Sequence, residues 1–72
     1  MVRLTFTDEK KNVKILGESE DTAELFNCMI AHAKRLFIHP TCAFPGNLSE
    51  PKSSYIVGQT RNGCRYEMEN VG

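Results

Sequence analysis

Apolar and polar residues alternate at the start of the chain in the pattern of two β-strands. Residues 2–7 (VRLTFT) place three apolar side chains on one face, and residues 12–17 (NVKILG) repeat the alternation after the charged sequence DEKK. A tight turn within that charged sequence predicts a hairpin in which Phe6 lies opposite Val13. The apolar side chains of the two strands then lie on the same face of the hairpin.

The spacing of apolar residues changes to three and four over residues 21–37, which predicts one amphipathic helix. Asp21 can cap its N-terminus, and Lys34 and Arg35 place positive charge near its C-terminus. Pro40 prevents the helix from continuing. The apolar stripe predicted to face the core consists of Leu25, Phe26, Met29, Ile30, Ala33, Leu36 and Phe37.

All three prolines of the chain lie in residues 38–52, a segment whose composition favours neither helix nor strand. Loops of this length in small domains are often functional, so the segment is a candidate binding region. The alternative interpretation is a plain crossover from the helix to the next strand. The sequence NLS at residues 47–49 matches a glycosylation site by chance if the chain is not secreted.

Residues 53–60 and 64–71 have the character of two further strands, joined at Asn62 and Gly63. An Asn-Gly pair between two such runs predicts a type I′ turn, because that turn needs positive φ at both central positions. The register that follows places four side chains against the helix: Tyr55, Val57, Tyr66 and Met68.

These elements predict an α+β fold of order ββαββ, in which one helix packs on one face of a four-stranded, mostly antiparallel sheet. A chain of 72 residues has room for a single domain, residues 1–72. It contains neither a membrane-spanning apolar run nor a signal peptide, so we expect a cytoplasmic protein. Its three cysteines form no CxxC pair and are expected to be reduced.

Motifs for catalysis or cofactor binding are absent from the sequence. The glycines lack the spacing of a phosphate-binding loop, and no known nucleophile motif surrounds the Ser, Cys or His residues. The acidic residues near position 20 fall where a helix N-terminus favours negative charge. We therefore expect a protein that is not an enzyme and has no cofactor.

A zinc site is one alternative hypothesis. Cys28 and His32 lie four residues apart on the helix flank, and His39 and Cys42 follow in the proline-rich segment. Thiolate and imidazole ligands suit tetrahedral zinc, and a bound metal would stabilise a small fold. The spacing differs from that of familiar zinc fingers, which counts against this hypothesis.

Nucleic-acid binding is a second alternative. Basic residues on the two hairpins could form one positive stripe, namely Lys10, Lys11, Lys14, Arg61 and Arg65. Nine Lys and Arg are balanced by nine Asp and Glu, which counts against the hypothesis. The predicted register also places both tyrosines in the core, so that neither can stack on a base.

Exclusion of these classes favours a small protein-interaction or regulatory module of unknown process, typical of phage or mobile-element accessory proteins. The predicted register leaves Leu16 and Ile56 on the sheet face opposite the helix, and Phe44 and Leu48 outside the periodic core. Two open strand edges offer further backbone groups. We expect a homodimer, or another protein contact, through the outer sheet face or a strand edge with the Phe44 loop folded against it.

Overall fold

The computed structural model describes residues 1–46 and 48–72 and has an α+β fold with one helix and one antiparallel sheet. Its elements are β1 (Val2–Thr7), β2 (Val13–Ser19), α1 (Thr22–Arg35), β3 (Thr41–Cys42), β4 (Ser54–Gln59) and β5 (Arg65–Asn70). Within the described residues the sheet has five strands in the order β2-β1-β5-β4-β3.

The predicted class is confirmed, but the prediction of four strands in the order ββαββ is wrong. Thr41 and Cys42, in the segment predicted as a loop, pair with Gln59 and Gly58 and add the short strand β3. The rest of that segment contributes Leu48 to the core. Asn47, which begins the possible glycosylation site, lies outside the described residues.

The core lies between α1 and one face of the sheet. Strand β1 is an inner strand, paired with β2 on one side and β5 on the other, and its alternation buries Val2, Leu4 and Phe6. Full burial of a large apolar side chain stabilises a fold by about 1.5–3 kcal/mol. The buried residues are Val2, Leu4, Phe6, Leu25, Met29, Ala33, Leu48, Val57, Cys64, Tyr66 and Met68.

The first hairpin has a different register from the predicted one. Asp8 accepts hydrogen bonds from the backbone N–H of Lys10 and of Asn12, each at 2.9 Å, and Lys11 adopts a φ of +71°. This side-chain-supported turn is longer than the predicted two-residue turn and shifts the pairing by one residue. Phe6 therefore lies opposite Lys14 instead of Val13.

This shift turns the apolar side chains of β2 to the other face of the sheet. Val13 and Ile15 lie opposite Thr7 and Thr5, and their exposed fractions are 65% and 56%. An irregularity in the pairing beyond Thr5 then admits one extra residue in β2, and Leu16 packs half-buried against the core. The prediction that Leu16 projects from the outer face is wrong.

The second hairpin turns through a three-residue connection instead of a type I′ turn. Gly63 donates its N–H to the carbonyl of Thr60 at 3.3 Å, and Thr60 donates its N–H to the carbonyl of Cys64 at 2.9 Å. Gly63 has a φ of +101°, whereas Asn62 is not in the left-handed region. This pattern is that of a turn followed by a glycine bulge, which the Thr60 hydroxyl supports by accepting the N–H of Cys64.

The pairing of β4 with β5 changes accordingly. Tyr55 lies opposite Met68 and Ile56 lies opposite Glu67, with an irregularity at Val57. Val57, Tyr66 and Met68 are buried as predicted, but Tyr55 at the sheet margin is 40% exposed. Ile56 is on the outer face, as predicted.

Helix α1 begins as predicted and ends earlier than predicted. The Asp21 carboxylate accepts the N–H groups of Ala23 at 3.0 Å and Glu24 at 3.4 Å, which caps the N-terminus. At the other end the helix stops at Arg35, and the next two residues leave the apolar stripe. Leu36 and Phe37 are therefore exposed instead of buried. In the described part of the chain, no helix is both long enough and apolar enough to span a bilayer.

Candidate anion-binding end

Both hairpin turns and the C-terminus of α1 lie at the same end of the sheet, which we call the turn end (residues 8–14, 34–39 and 60–65). Thr7 and Arg65 are paired where β1 ends and β5 begins, so the two turns are neighbours. A side chain built on Gly63 would start 3.9 Å from the Cα of Glu9. The helix reaches the same end, since the rings of His32 and Phe6 have centroids 4.8 Å apart.

The turn end holds most of the positive charge of the molecule. Among the described residues it carries seven of the nine Lys and Arg but two of the nine Asp and Glu, a formal charge of +5 from seven cations and two carboxylates. The cations are Lys10, Lys11, Lys14, Lys34, Arg35, Arg61 and Arg65, and all seven are exposed. The zero net charge of the sequence therefore conceals a strong separation of charge.

These cations have no ionic partners within residues 1–46 and 48–72. The two ion pairs found there lie at the opposite end, between the Met1 ammonium and Glu20 at 3.3 Å and between Arg3 and Glu18 at 2.7 Å. Of the two acidic residues at the turn end, Asp8 directs its carboxylate to backbone N–H groups of its own turn. The hydrogen bond from the Asn12 N–H is the main cause that lowers the pKa of Asp8.

A polar pocket of about 130 Å³ lies between the two turns. Lys11 and Arg65 line it together with the hydroxyl-bearing side chains of Thr7 and Thr60 and the amide of Gln59. No carboxylate of the described residues lines this pocket. Ammonium, guanidinium and amide groups and the Thr7 hydroxyl can donate to oxyanions, whereas the Thr60 hydroxyl already donates to Asn62 Oδ1, so the pocket has the size and donor groups to accept a phosphate group.

The basic surface continues from β2 to the end of α1. Burial lowers the pKa of His32, and the positive charges of Lys14 and Arg35 lower it further. Both cations therefore act on the same imidazole. The His32 Nδ1 lies 2.8 Å from the hydroxyl of the buried Tyr66, whose pKa is raised by burial to about 12. A neutral His32 lets Tyr66 donate its hydroxyl proton to Nδ1, and this pair packs beneath the basic surface.

Phe37 adds an aromatic ring at the turn end. It follows Arg35 by two residues and is 89% exposed. Its φ of +56° lies in the left-handed region, which is unfavourable for a bulky residue. Sequence reasoning missed Phe37 because its spacing fits the apolar stripe of the helix. The absence of glycine between the helix and Pro40 was the indication that a bulky residue would have to end the helix.

The predicted zinc ligands are not brought together. Within the described residues, no group of three or more His, Cys, Asp or Glu side chains is placed to hold a metal ion. His32 faces Tyr66, and Cys42 donates its thiol to the carbonyl of Pro40 at 3.5 Å. Cys28 and His39 are exposed.

The four residues predicted to form one interaction surface are dispersed. Leu48 is buried, and Leu16 is half-buried against the core. Ile56 lies on the outer face and is 45% exposed. Phe44 is folded against the helix, with its ring centroid 5.1 Å from that of Phe26, and not against the outer sheet face, which is one of the two positions predicted for its loop.

The five basic residues considered for nucleic-acid binding do gather at the turn end, and the fold adds Lys34 and Arg35 to them. No protein-family model, curated protein or solved structure matches this chain. The geometry and electrostatics of the molecule are therefore the basis on which its function can be argued.

Proposed function

We propose that this chain is a non-enzymatic binding module that recognises the phosphate groups of a nucleic acid through its turn end. The observation that supports the proposal is the collection of seven exposed basic side chains at the turn end, which have no ionic partner among the described residues and of which Lys11 and Arg65 line a polar pocket. Collected positive charge attracts a polyanion, and each phosphate that a cation neutralises releases a counterion.

Structural requirements explain only part of this charge. Lys34 and Arg35 stabilise the C-terminus of α1 by interacting with the helix dipole, an effect of about 0.3–1 kcal/mol each. Within the described part of the chain the cations on the two turns have no such partner, and like charges held close together destabilise the folded chain. A polyanionic ligand would remove that repulsion.

A salt titration tests the proposal. The probe is a fluorescently labelled oligonucleotide of about 12 nucleotides, and its anisotropy is followed with the full chain at about 50 mM and about 200 mM salt. We expect binding that weakens with salt, with a slope of log K against log salt of about −0.7 for each phosphate contact to a single strand. The absence of binding to single strands and duplexes at the lower salt concentration would overturn the proposal.

Self-association is the second candidate function, and the exposed apolar residues of the outer sheet face favour it. Val13, Ile15 and Ile56 have no layer packed over them. In the row that joins Ile15 to Ile56, however, Thr5 and Glu67 intervene, so the apolar area is divided. The edge strand β2 also carries a bulge and a lysine, two features that oppose pairing with another strand.

Light scattering coupled to size exclusion tests this candidate at tens of micromolar chain. A dimer that is lost in Ile15→Lys while the helical circular dichroism persists would support contact through the outer face. A monomeric mass that is independent of concentration would exclude self-association in this range.

A further inference from the structure

Phe37 occupies the last turn of an otherwise standard helix ending. The N–H of Phe37 donates to the carbonyl of Lys34 at 3.2 Å, and the N–H of Ile38 donates to the carbonyl of Ala33 at 3.1 Å. This pair of bonds defines a Schellman motif, in which the left-handed position is usually occupied by glycine. Here it is occupied by phenylalanine, whose Cβ makes the left-handed conformation unfavourable.

Packing of the Phe37 ring does not offset this unfavourable backbone conformation. With 89% of its surface exposed, Phe37 is the most exposed large apolar residue among those that the structure describes. Its neighbour Ile38 packs against the core, so the chain passes through Phe37 with the ring turned to solvent. A strained backbone that carries an unburied aromatic ring contributes nothing to folding that glycine would not provide better.

The surroundings of Phe37 indicate what the ring could contact. Lys34 and Arg35 precede it by three and two residues, and the charges of Lys14 and Arg35 act on the same imidazole, that of His32. An exposed aromatic ring among cations is the combination that binds single-stranded nucleic acid, because unpaired bases stack on the ring while the cations contact the backbone phosphates.

We propose that Phe37 is a stacking platform for an unpaired base, and that the turn end therefore prefers single-stranded nucleic acid to duplex. This inference rests on the proposed function, since it assigns the phosphates of the same ligand to the basic side chains. The bases of a duplex are already stacked on one another and are not available to the ring.

Phe37→Gly removes the ring and keeps a residue suited to the left-handed backbone, so the fold is retained. We expect this variant to bind a single-stranded oligonucleotide about 5- to 150-fold more weakly, the ratio that corresponds to about 1–3 kcal/mol for one stacked base. Inorganic polyphosphate, which has charge but no bases, should bind the variant and the natural chain equally. Phe44→Gly, which removes an exposed ring away from the turn end, is the matched control and should leave both ligands unaffected.

A spectroscopic measurement reports stacking directly. The chain contains no tryptophan, so Phe37→Trp introduces a single indole at the proposed platform. Its fluorescence should be quenched by a single-stranded oligonucleotide and not by polyphosphate, whereas Phe44→Trp should be unaffected by either ligand.

The outcomes separate the two proposals. If the oligonucleotide binds with the expected salt dependence but Phe37→Gly does not weaken it and Phe37→Trp is not quenched, Phe37 is not a stacking platform and the phosphate-binding proposal stands. If no oligonucleotide binds at low salt, both proposals fail. An effect of Phe37→Gly that is equally large with polyphosphate would attribute the loss to altered structure and overturn the stacking role.

Discussion

The two ends of the sheet use their charges in opposite ways. At the end opposite the turns, which we call the acidic end (residues 1–3, 18–24, 50–54 and 69–72), acidic groups have structural partners: Glu20 pairs with the Met1 ammonium, Glu18 pairs with Arg3, and Asp21 caps the helix. At the turn end, seven cations have no ionic partner in the part of the chain that the structure describes. The charges of the acidic end therefore contribute to folding, whereas the turn end has charge that is available to a ligand.

The largest effect is expected on oligonucleotide affinity, when the cations of the turn-end pocket are replaced. Replacing both pocket cations, Lys11→Glu with Arg65→Glu, reverses two charges and should weaken oligonucleotide binding by at least about tenfold, with a salt slope shallower by about 1.4. Anisotropy titrations at two salt concentrations measure both quantities. Lys52→Glu reverses one charge at the acidic end and is the control, so the two losses of binding free energy are compared per reversed charge. Equal losses per reversed charge would mean that only total charge matters, which contradicts a site at the turn end.

The second largest effect is expected on the free energy of unfolding, when a carboxylate of the acidic end is removed. Asp21→Ala removes the cap that accepts the Ala23 and Glu24 N–H groups and should lower the free energy of unfolding by about 0.5–2 kcal/mol. Oligonucleotide affinity should not change. Urea denaturation followed by circular dichroism measures the first quantity. A stability equal to that of the natural chain would contradict a structural role for this carboxylate.

The reverse result is expected at the turn end, where removal of Phe37, the proposed stacking residue, should stabilise the fold. Phe37→Gly relieves the left-handed strain of a bulky residue and should raise the free energy of unfolding by up to about 1 kcal/mol. The same denaturation experiment measures it, with Leu36→Gly as a control that offers no such relief. A marked loss of stability in Phe37→Gly would show that the ring packs in the fold after all.

The smallest effect comes from the imidazole beneath the basic surface. Because the folded chain lowers the pKa of His32 below the usual 6.5, the unfolded chain binds its proton first as the pH falls. The stability that neutral His32 contributes is therefore present above about pH 6.5 and is lost as the pH falls through that value toward the folded pKa. Thermal unfolding between about pH 5.5 and 7.5 should show this loss in the natural chain and in His39→Gln, but not in His32→Gln. If thermal stability depended on pH in the same way in His39→Gln and His32→Gln, the assignment of this loss to His32 would be contradicted.

Local patterns predicted the secondary structure because they depend on neighbouring residues alone. The alternation of β1, the Asp21 cap and the buried side chains Val57, Tyr66 and Met68 all appear where the sequence predicts them. The two turns were less predictable. Each depends on a side-chain oxygen, of Asp8 or of Thr60, that accepts backbone N–H groups and changes the length of the turn by one residue.

A change of one residue in a turn has consequences along the whole hairpin, because side chains alternate between faces. For this reason the outer face carries Val13 and Ile15 instead of Leu16. The five basic residues of the candidate site were recognised in the sequence as a possible stripe, whereas Phe37 was assigned to the helix stripe. The positive φ that exposes Phe37 results from the way the chain returns to the core at Ile38.

The number of charges, the helix with its N-terminal cap, the main strands and most of the residues that fill the core follow from the sequence alone. Which charges share a surface depends instead on how the elements are arranged in the folded molecule. Because β1 pairs antiparallel with β5, the turn that follows β1 and the turn that precedes β5 lie at one end of the sheet, and a helix that starts at the other end brings its C-terminus to the same place. Residues separated by up to 55 positions, such as Lys10 and Arg65, therefore meet at the turn end. An even charge balance along the chain becomes a separation of charge in space because topology, and not composition, determines which residues are neighbours.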